Sequence, residues 1–543
     1  MATNRAGVRS NAERGGRGAR RALAAGCVAG LAAVAVGVPA ARAQEPAPRT
    51  VRVGPVGIDP NGPSSDPSAS ETGRFVAFAS RASNLGPRDG NFRLADIYVY
   101  DALTAQTRLI SLGPHDLPAN GPSRAPSISR DGNVVAFASD ASNLVPGDRN
   151  RHGDIFVRRG GGPVERVSVG LGGRRADGSS YQPTISADGR FVAFTSAADN
   201  LIAGDDNAQP DVFRVELSTG AIRRVSVTST GRQARGASSN PSLTGDGLEV
   251  SFASTAPNLV RRDRNRVPDV FVRDTISHTT RRVTVSTRGR EQNAAVAPPF
   301  TQISGVSADG RYVVFDSDAT NLVRGDRNEH TDVFRRDIVT RRTILLSRSA
   351  GGEGSNDSFA PATSADGART VFESFADNLA EPWAPVENVF ARDVATPDPL
   401  TVDVTPAGRA RGPEPDAQLL QQPAISRDGR VVVFASGAHD LVAGDHNGAN
   451  DLFMRVITPP TTTLTRAPAA RGRDRRPVIE FHGDDPLARF GRCRLDGRRL
   501  PCPAGRPFRL SQLSRRGHVL RVAAGGPGML FDPVGVVIRF RVD

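Results

Sequence analysis

The chain has 543 residues, 38% of them hydrophobic, and a formal net charge of +13 in which all 70 cationic side chains are arginine. That length exceeds what one ordinary core serves, so it excludes a single small domain and calls for several domains or a repeat array. Residues 1–43 hold seven of those arginines and one glutamate, which leaves the rest near +7 with acids interleaved throughout; bulk charge therefore does not mark a polyanion binder.

The first element in chain order is an export signal over 1–43. A basic region ends at Arg20-Arg21, an Ala/Gly-rich apolar stretch runs from Ala22 to Val38, and Ala41-Arg42-Ala43 offers small residues for cleavage. The rival reading is a retained anchor, but 22–38 is short and weakly apolar for a span. Cys27 belongs to this stretch. Its removal leaves Cys493 and Cys502, an even number suited to an oxidising compartment.

From residue 50 a unit repeats seven times. Its core is an apolar strand after an Asp-Gly turn: SRDGNVVAFAS (129–139), SADGRFVAFTS (186–196), TGDGLEVSFAS (244–254), SADGRYVVFDS (307–317), SADGARTVFES (364–374) and SRDGRVVVFAS (426–436), with SETGRFVAFAS (70–80) as a variant. The turn residue falls at 72, 131, 188, 246, 309, 366 and 428, a period of 57–63 residues. Each unit carries four strand signals. They are a short stretch after a proline (Pro183-Thr-Ile-Ser), the run after Asp-Gly, a DVFVR-like run (154–158, 211–215, 269–273, 332–336), and an Arg-Val-Ser-Val-like run (166–169, 224–227, 282–285). The second and third runs are apolar at nearly every position, as expected when both faces of a sheet are covered.

Four-stranded sheets repeated radially make an all-β, seven-bladed β-propeller, expected over 44–457. The seventh unit stops after its third strand at 451–456, and an orphan strand, Thr50-Val-Arg-Val53, stands at the other end. Pairing the two closes the last blade. Units of the form PSISxDGRxVAFxS…DVFVRD resemble the WD-repeat-like propeller repeats of TolB-type bacterial exported proteins, and the resemblance covers about 50–457. It implies a propeller fold and an exported, secreted or periplasmic setting. TolB-type proteins carry a separate N-terminal domain, and here the signal leads straight into the propeller, so a role in a Tol system does not follow.

A Thr/Pro-rich linker is expected over 458–476. Residues 477–543 resemble the Ig-like β-sandwich modules appended to bacterial surface proteins, through CRLDGRRLPC (493–502), RGHVLRVAA (516–524) and the terminal RFRVD. A Cys493–Cys502 disulfide is expected across a hairpin turning at Asp496-Gly497. The segment 525–533 departs from the pattern of that resemblance.

No GxSxG elbow and no HExxH spacing occurs, and no catalytic residue is assigned. The motif left unabsorbed lies in the long loops: GDRNRHGD (147–154), GDDNAQPD (204–211), RDRNRVPD (262–269), GDRNEHTD (325–332) and GDHNGAND (444–451). It places Asp148, Asn150, Asp154; Asp205, Asn207, Asp211; Asp263, Asn265, Asp269; Asp326, Asn328, Asp332; and Asp445, Asn447, Asp451 at positions one, three and seven. A D-x-N opening suits Ca²⁺, the one cofactor considered, yet no acid stands at position five and no bidentate Glu follows. Asx-turn chemistry explains the same residues without a metal.

The functional expectation is a non-catalytic binding scaffold at the cell envelope or outside the cell, monomeric, with a protein or glycan partner and no nucleic acid; membrane contact is expected only through an uncleaved signal. Two alternatives stand beside it. One is a carbohydrate- or peptide-cleaving enzyme using loop acids such as Asp177, Asp357 and Asp416. The other is polyanion attachment through an outer rim of Arg223-Arg224, Arg281-Arg282 and Arg341-Arg342.

Overall fold

A computed structural model describes residues 50–86, 89–91, 94–294, 304–380, 387–405, 422–458, 461–483, 490–525 and 535–543. The expected signal segment with Cys27 lies outside them, as do Trp383, Asp416 and residues 526–533. Apart from two 3-10 turns, the described residues are strand and turn, an all-β architecture of the propeller type.

Seven four-stranded antiparallel sheets follow the seven repeats. The second unit is representative: innermost Ser123–Ile128, then Val134–Ser139, Asp154–Arg159, and outermost Val164–Arg166. The seventh sheet takes Ala424–Ile425, Val431–Ser436 and Asp451–Val456 from the end of the array and Val51–Arg52 from its start, in register Val51 to Met454 and Arg52 to Phe453. Val53 then buries in one core with Val431, Val433 and Met454 of that sheet and Val76 and Phe78 of the first.

Two-sided burial explains the unbroken apolar runs. All six residues of Val134–Ser139 are buried, and one core joins Val134 and Ala136 to Val192 and Phe194 of the next sheet. In six of the sheets an aromatic of the second strand stacks on one of the third, such as Phe137 on Phe156 with centroids 5.8 Å apart, and in the seventh Phe434 and Phe453 meet tilted.

The Asp-Gly turns do two jobs. Gly132 sits at φ 75°, and a Cβ there would come within 2.1 Å of Phe75 in the preceding sheet, so the glycine serves both turn and packing. The turns are also wired to one another. Backbone N–H groups donate from Glu71 to Arg130, Arg130 to Ala187, Asp188 to Gly245, Gly245 to Ala308, Ala308 to Ala365, Ala365 to Arg427 and Asp428 to Glu71, at 2.7–3.4 Å. This circuit passes through all seven units and returns to its start.

Two expectations need correction. The outermost strands lie earlier than the Val-Ser-Val runs: Ala221–Arg224 and Thr279–Arg282 end on the arginine. The next N–H, of Val225 or Val283, still donates to the third strand, and then the Ser or Thr hydroxyl turns to the aspartate that opens that strand. The expected linker 458–476 also contains strands. Thr462–Arg466 pairs with Val478–Gly483, and Arg471–Gly472 pairs with Val536–Val542.

The C-terminal region has a three-stranded and a five-stranded sheet sharing one core that includes Ile479, Phe481, Leu520, Val522, Ile538 and Phe540. Cys493 and Cys502 are joined, with Cα atoms 6.1 Å apart. Asp496 and Gly497 both have positive φ, 48° and 83°, as a two-residue hairpin turn requires. Cys502 lies just past the hairpin strand Arg498–Leu500 rather than within the ladder.

Candidate functional site

Two places combine polar chemistry with position: the D-x-N loops and the central cavity.

In all five loops the asparagine organises the turn. Its Oδ1 accepts the N–H two residues on, and its Nδ2 donates to the final aspartate, at 2.9 Å for Asn150 to Asp154 and for Asn328 to Asp332. That aspartate is buried, and in four of the loops its other oxygen accepts a hydroxyl from the segment after the outermost strand, Ser168, Ser226, Thr284 or Ser347, whereas both oxygens of Asp451 accept Asn447. Asx-turn chemistry is therefore present at every copy.

Sequence reasoning missed the counter-charge. Arg166 Nη1 lies 3.0 Å from Asp148 and 3.4 Å from Asp154. Arg224 stands 3.0 and 3.2 Å from Asp205 and Asp211, and Arg282 3.2 and 3.1 Å from Asp263 and Asp269. In the seventh unit Arg52 contacts Asp59, Asp445 and Asp451 from the N-terminal strand. Each arginine pairs in register with the central Phe of the third strand, which aims the guanidinium at both carboxylates. Four of the five loops thus hold a guanidinium between the carboxylates proposed for Ca²⁺. In three of these loops the arginine follows the motif's last aspartate by 12 or 13 residues, a spacing open to inspection in the sequence, whereas Arg52 comes from the far end of the chain.

The fifth loop differs. Leu345 occupies the register position opposite Phe334. Burial, aided by the charge of Glu353, pushes Asp326 up to about 6, and burial pushes Asp332 up to about 7 against the hydrogen bonds from Ser347 and Asn328. The first unit also has leucine there, Leu109, but Tyr98 donates its hydroxyl to Asp89. The sixth exchanges polarity: Asn388 opens the third strand and Asp403 takes the hydroxyl's place, accepting Val389 N–H at 3.2 Å.

These arginines also weaken the rim reading. Arg224 and Arg282 are 9% exposed and point into the acidic clusters, which removes the second member of two of the three pairs. The loop acids of the hydrolase reading serve locally. Asp177 accepts Asp199 N–H, and Asp357 accepts Thr331 N–H with His330 Nδ1 3.1 Å away; neither lines the cavity.

The central cavity, about 400 Å³, is lined by the innermost segment of all seven units. Each of six begins with a residue before proline held at positive φ: Asp66, Ala125, Gln182, Asn240, Ala360 and Gln422. Such backbones cost about 1–3 kcal/mol each and persist only where the surroundings impose them. Neighbouring units tie the bulges together, since Asp66 accepts Ala125 N–H and Gln182 accepts Asn240 N–H. The framework repeats while its side chains vary.

Near the turn end stands Arg427. Its Nε is 3.7 Å from Glu71, which also takes Arg130 at 3.0 Å. A methyl on Gly245 would lie 3.2 Å from Arg427 Nη2, so the guanidinium of the seventh unit reaches the turn of the fourth. The equivalent turn positions Ala187, Gly245, Ala308 and Ala365 are small and leave it room. Burial works against this charge and Glu71 partly offsets the effect. Among the described residues its Nη atoms make no hydrogen bond.

No family model and no curated protein matches the chain. Similar solved structures include a protein described as TolB from Agrobacterium tumefaciens, 17% identical over 67% of this chain and 98% of that one, with a TM-score of 0.36. An oligogalacturonate lyase from Vibrio parahaemolyticus is 12% identical over 75% and 93%, TM-score 0.45. A puromycin-hydrolyzing peptidase of Mycobacterium tuberculosis is 14% identical over 87% and 62%, TM-score 0.43. At such scores they bear no argument about activity, and the fold rests on the sheets and the turn circuit.

Proposed function

We propose that this is an exported, seven-bladed propeller with an appended Ig-like sandwich, acting as a non-catalytic binding scaffold at the envelope or outside the cell. Its ligand site is the central cavity. The closed circuit through seven turns supports the blade count, and two sheets sharing one core beside a disulfide support the sandwich. The disulfide belongs to oxidising compartments and supports export.

The observation that carries the site is Arg427, a guanidinium at the turn end of a polar cavity with its Nη atoms unengaged among the described residues. That group recognises a carboxylate in bidentate fashion. The hydroxyls of Ser127 and Ser242, which accept Ile185 and Val306 N–H and keep a proton to donate, line the same space and suit a small polar organic acid, free or at the end of a larger glycan or peptide.

Calorimetric titration with succinate and citrate tests this. Binding is expected in the native chain, with a loss of tenfold or more in Arg427→Gln and none in Asp326→Asn, which lies in the outer loops. Absence of binding by both acids, or unchanged binding in Arg427→Gln, overturns the cavity reading.

A further inference from the structure

The five D-x-N loops share one backbone design, so their differences in charge are informative. The second loop places Arg166 on Asp148 and Asp154 and adds Arg175 from the following segment, whose Nε donates to Gly147 O. The third uses Arg224 and Gln233, and Gln233 Nε2 donates to both aspartates. In the fourth, Arg282 serves Asp263, Asp269 and Glu291 together.

The fifth repeats the fourth's acids without its cation. Asp326 and Asp332 correspond to Asp263 and Asp269, Glu353 to Glu291, and Leu345 to Arg282. Glu353 Oε2 accepts the N–H groups of Arg327 at 2.7 Å and Asn328 at 3.1 Å, which sets its carboxylate on the loop. Asp326 is 8% exposed, and its buried Oδ2 has no hydrogen-bond partner among the described residues. Its carboxylate interacts electrostatically with Glu353 and Asp332, and among the described residues no arginine forms an ion pair with either aspartate. A buried carboxylate left this way either takes up a proton or meets a cation.

We propose that the fifth loop is a divalent-cation site taking Ca²⁺ through Asp326, Asp332 and Glu353, and that guanidinium groups fill the equivalent space in the other four loops. In the third loop Arg224 also donates to Gly204 O, at 2.8 Å. The matching Gly325 carbonyl supplies a neutral oxygen to the ion, and water completes the shell of six to eight oxygens that Ca²⁺ prefers. The three carboxylates do not all lie within 4.8 Å of one another, whereas Asp59, Asp445 and Asp451 do, with Arg52 already among them. Coordination therefore draws the fifth loop inward onto the ion. This site is separate from the central cavity and stands or falls independently of it.

The test is calorimetric titration of EDTA-stripped full-length protein with CaCl2, alongside melting curves. One Ca²⁺ per chain is expected, with a rise in Tm that EDTA reverses. Leu345→Arg installs the missing guanidinium and should abolish binding while the protein keeps a cooperative melt. Arg282→Leu recreates the fifth loop's charges in the fourth and should raise the stoichiometry to two. Should Leu345→Arg fail to fold, Asp326→Asn, which removes charge at constant shape, should abolish binding instead. A native protein without Ca²⁺ heat or Tm response, a stoichiometry of five, or binding that survives Leu345→Arg and Asp326→Asn overturns the proposal.

Discussion

The ring of seven sheets and the C-terminal pair of sheets hold themselves together differently. Each sheet of the ring buries both faces against its neighbours, and no disulfide joins any two of them among the described residues. Its seventh sheet is completed by two residues, Val51 and Arg52, that pair with a strand about 400 positions later in the chain. The C-terminal region has one shared core and ties a local hairpin with Cys493–Cys502, nine residues apart. A large array can draw its stability from many repeated interfaces provided the last one forms, whereas a small core gains from a crosslink that restricts the unfolded chain.

The sharpest way to break this comparison is to remove residues 44–54. The seventh sheet then loses its outermost strand, Val53 leaves the core, and Asp445 and Asp451 lose Arg52. The expected destabilisation of the ring is roughly 5 kcal/mol, from a lost core side chain and uncompensated buried acids. It should appear in calorimetry as a large fall in the main transition, with aggregation through the opened edge. An unchanged main transition would mean that the ring does not need its N-terminal strand.

Cys502→Ser should act on the other region. Opening so short a loop is expected to cost about 2–3 kcal/mol. It should lower a separate C-terminal transition and leave that of the ring in place. If one transition moves as a whole, the two regions form a single cooperative unit and the comparison fails.

A smaller effect sharpens the account of the ring. Arg311 clasps Asp337 at the end of the second and third strands of the fifth sheet, as Arg74 does Asp101 in the first. The Arg311 hydrogen bond, with help from Thr340, outweighs partial burial and holds Asp337 down to about 2. Because the folded value lies below the unfolded one, this stabilisation is present above about pH 4 and is lost as pH falls through about 2. Asp337→Asn should therefore lower Tm slightly at about pH 5 and not at about pH 1.5. The change is small because Arg311 is 42% exposed and solvent screens the pair.

Much of this molecule was legible along the chain because its cues act between near neighbours. Asp131-Gly132 specifies a turn by the backbone conformation it permits, Val134–Ser139 a strand covered on both sides by its unbroken apolar run, and Asn150 an Asx turn by its reach to the next two residues. The orphan segment 50–53 could be matched to 451–456 by counting strands. What only the tertiary structure decided is which charges meet. Arg224 and Arg282 look like rim residues in sequence, yet they and Arg166 pair opposite Phe213, Phe271 and Phe156 and so turn onto buried aspartates, and the same register puts uncharged Leu345 at the fifth loop. Arg427 likewise gains meaning only across the cavity, where Gly245, three units away, makes room for it. Periodicity and turn preference are local properties of the polymer. Charge compensation depends on strands brought together from distant parts of it, and a single sequence records the groups but not their meeting.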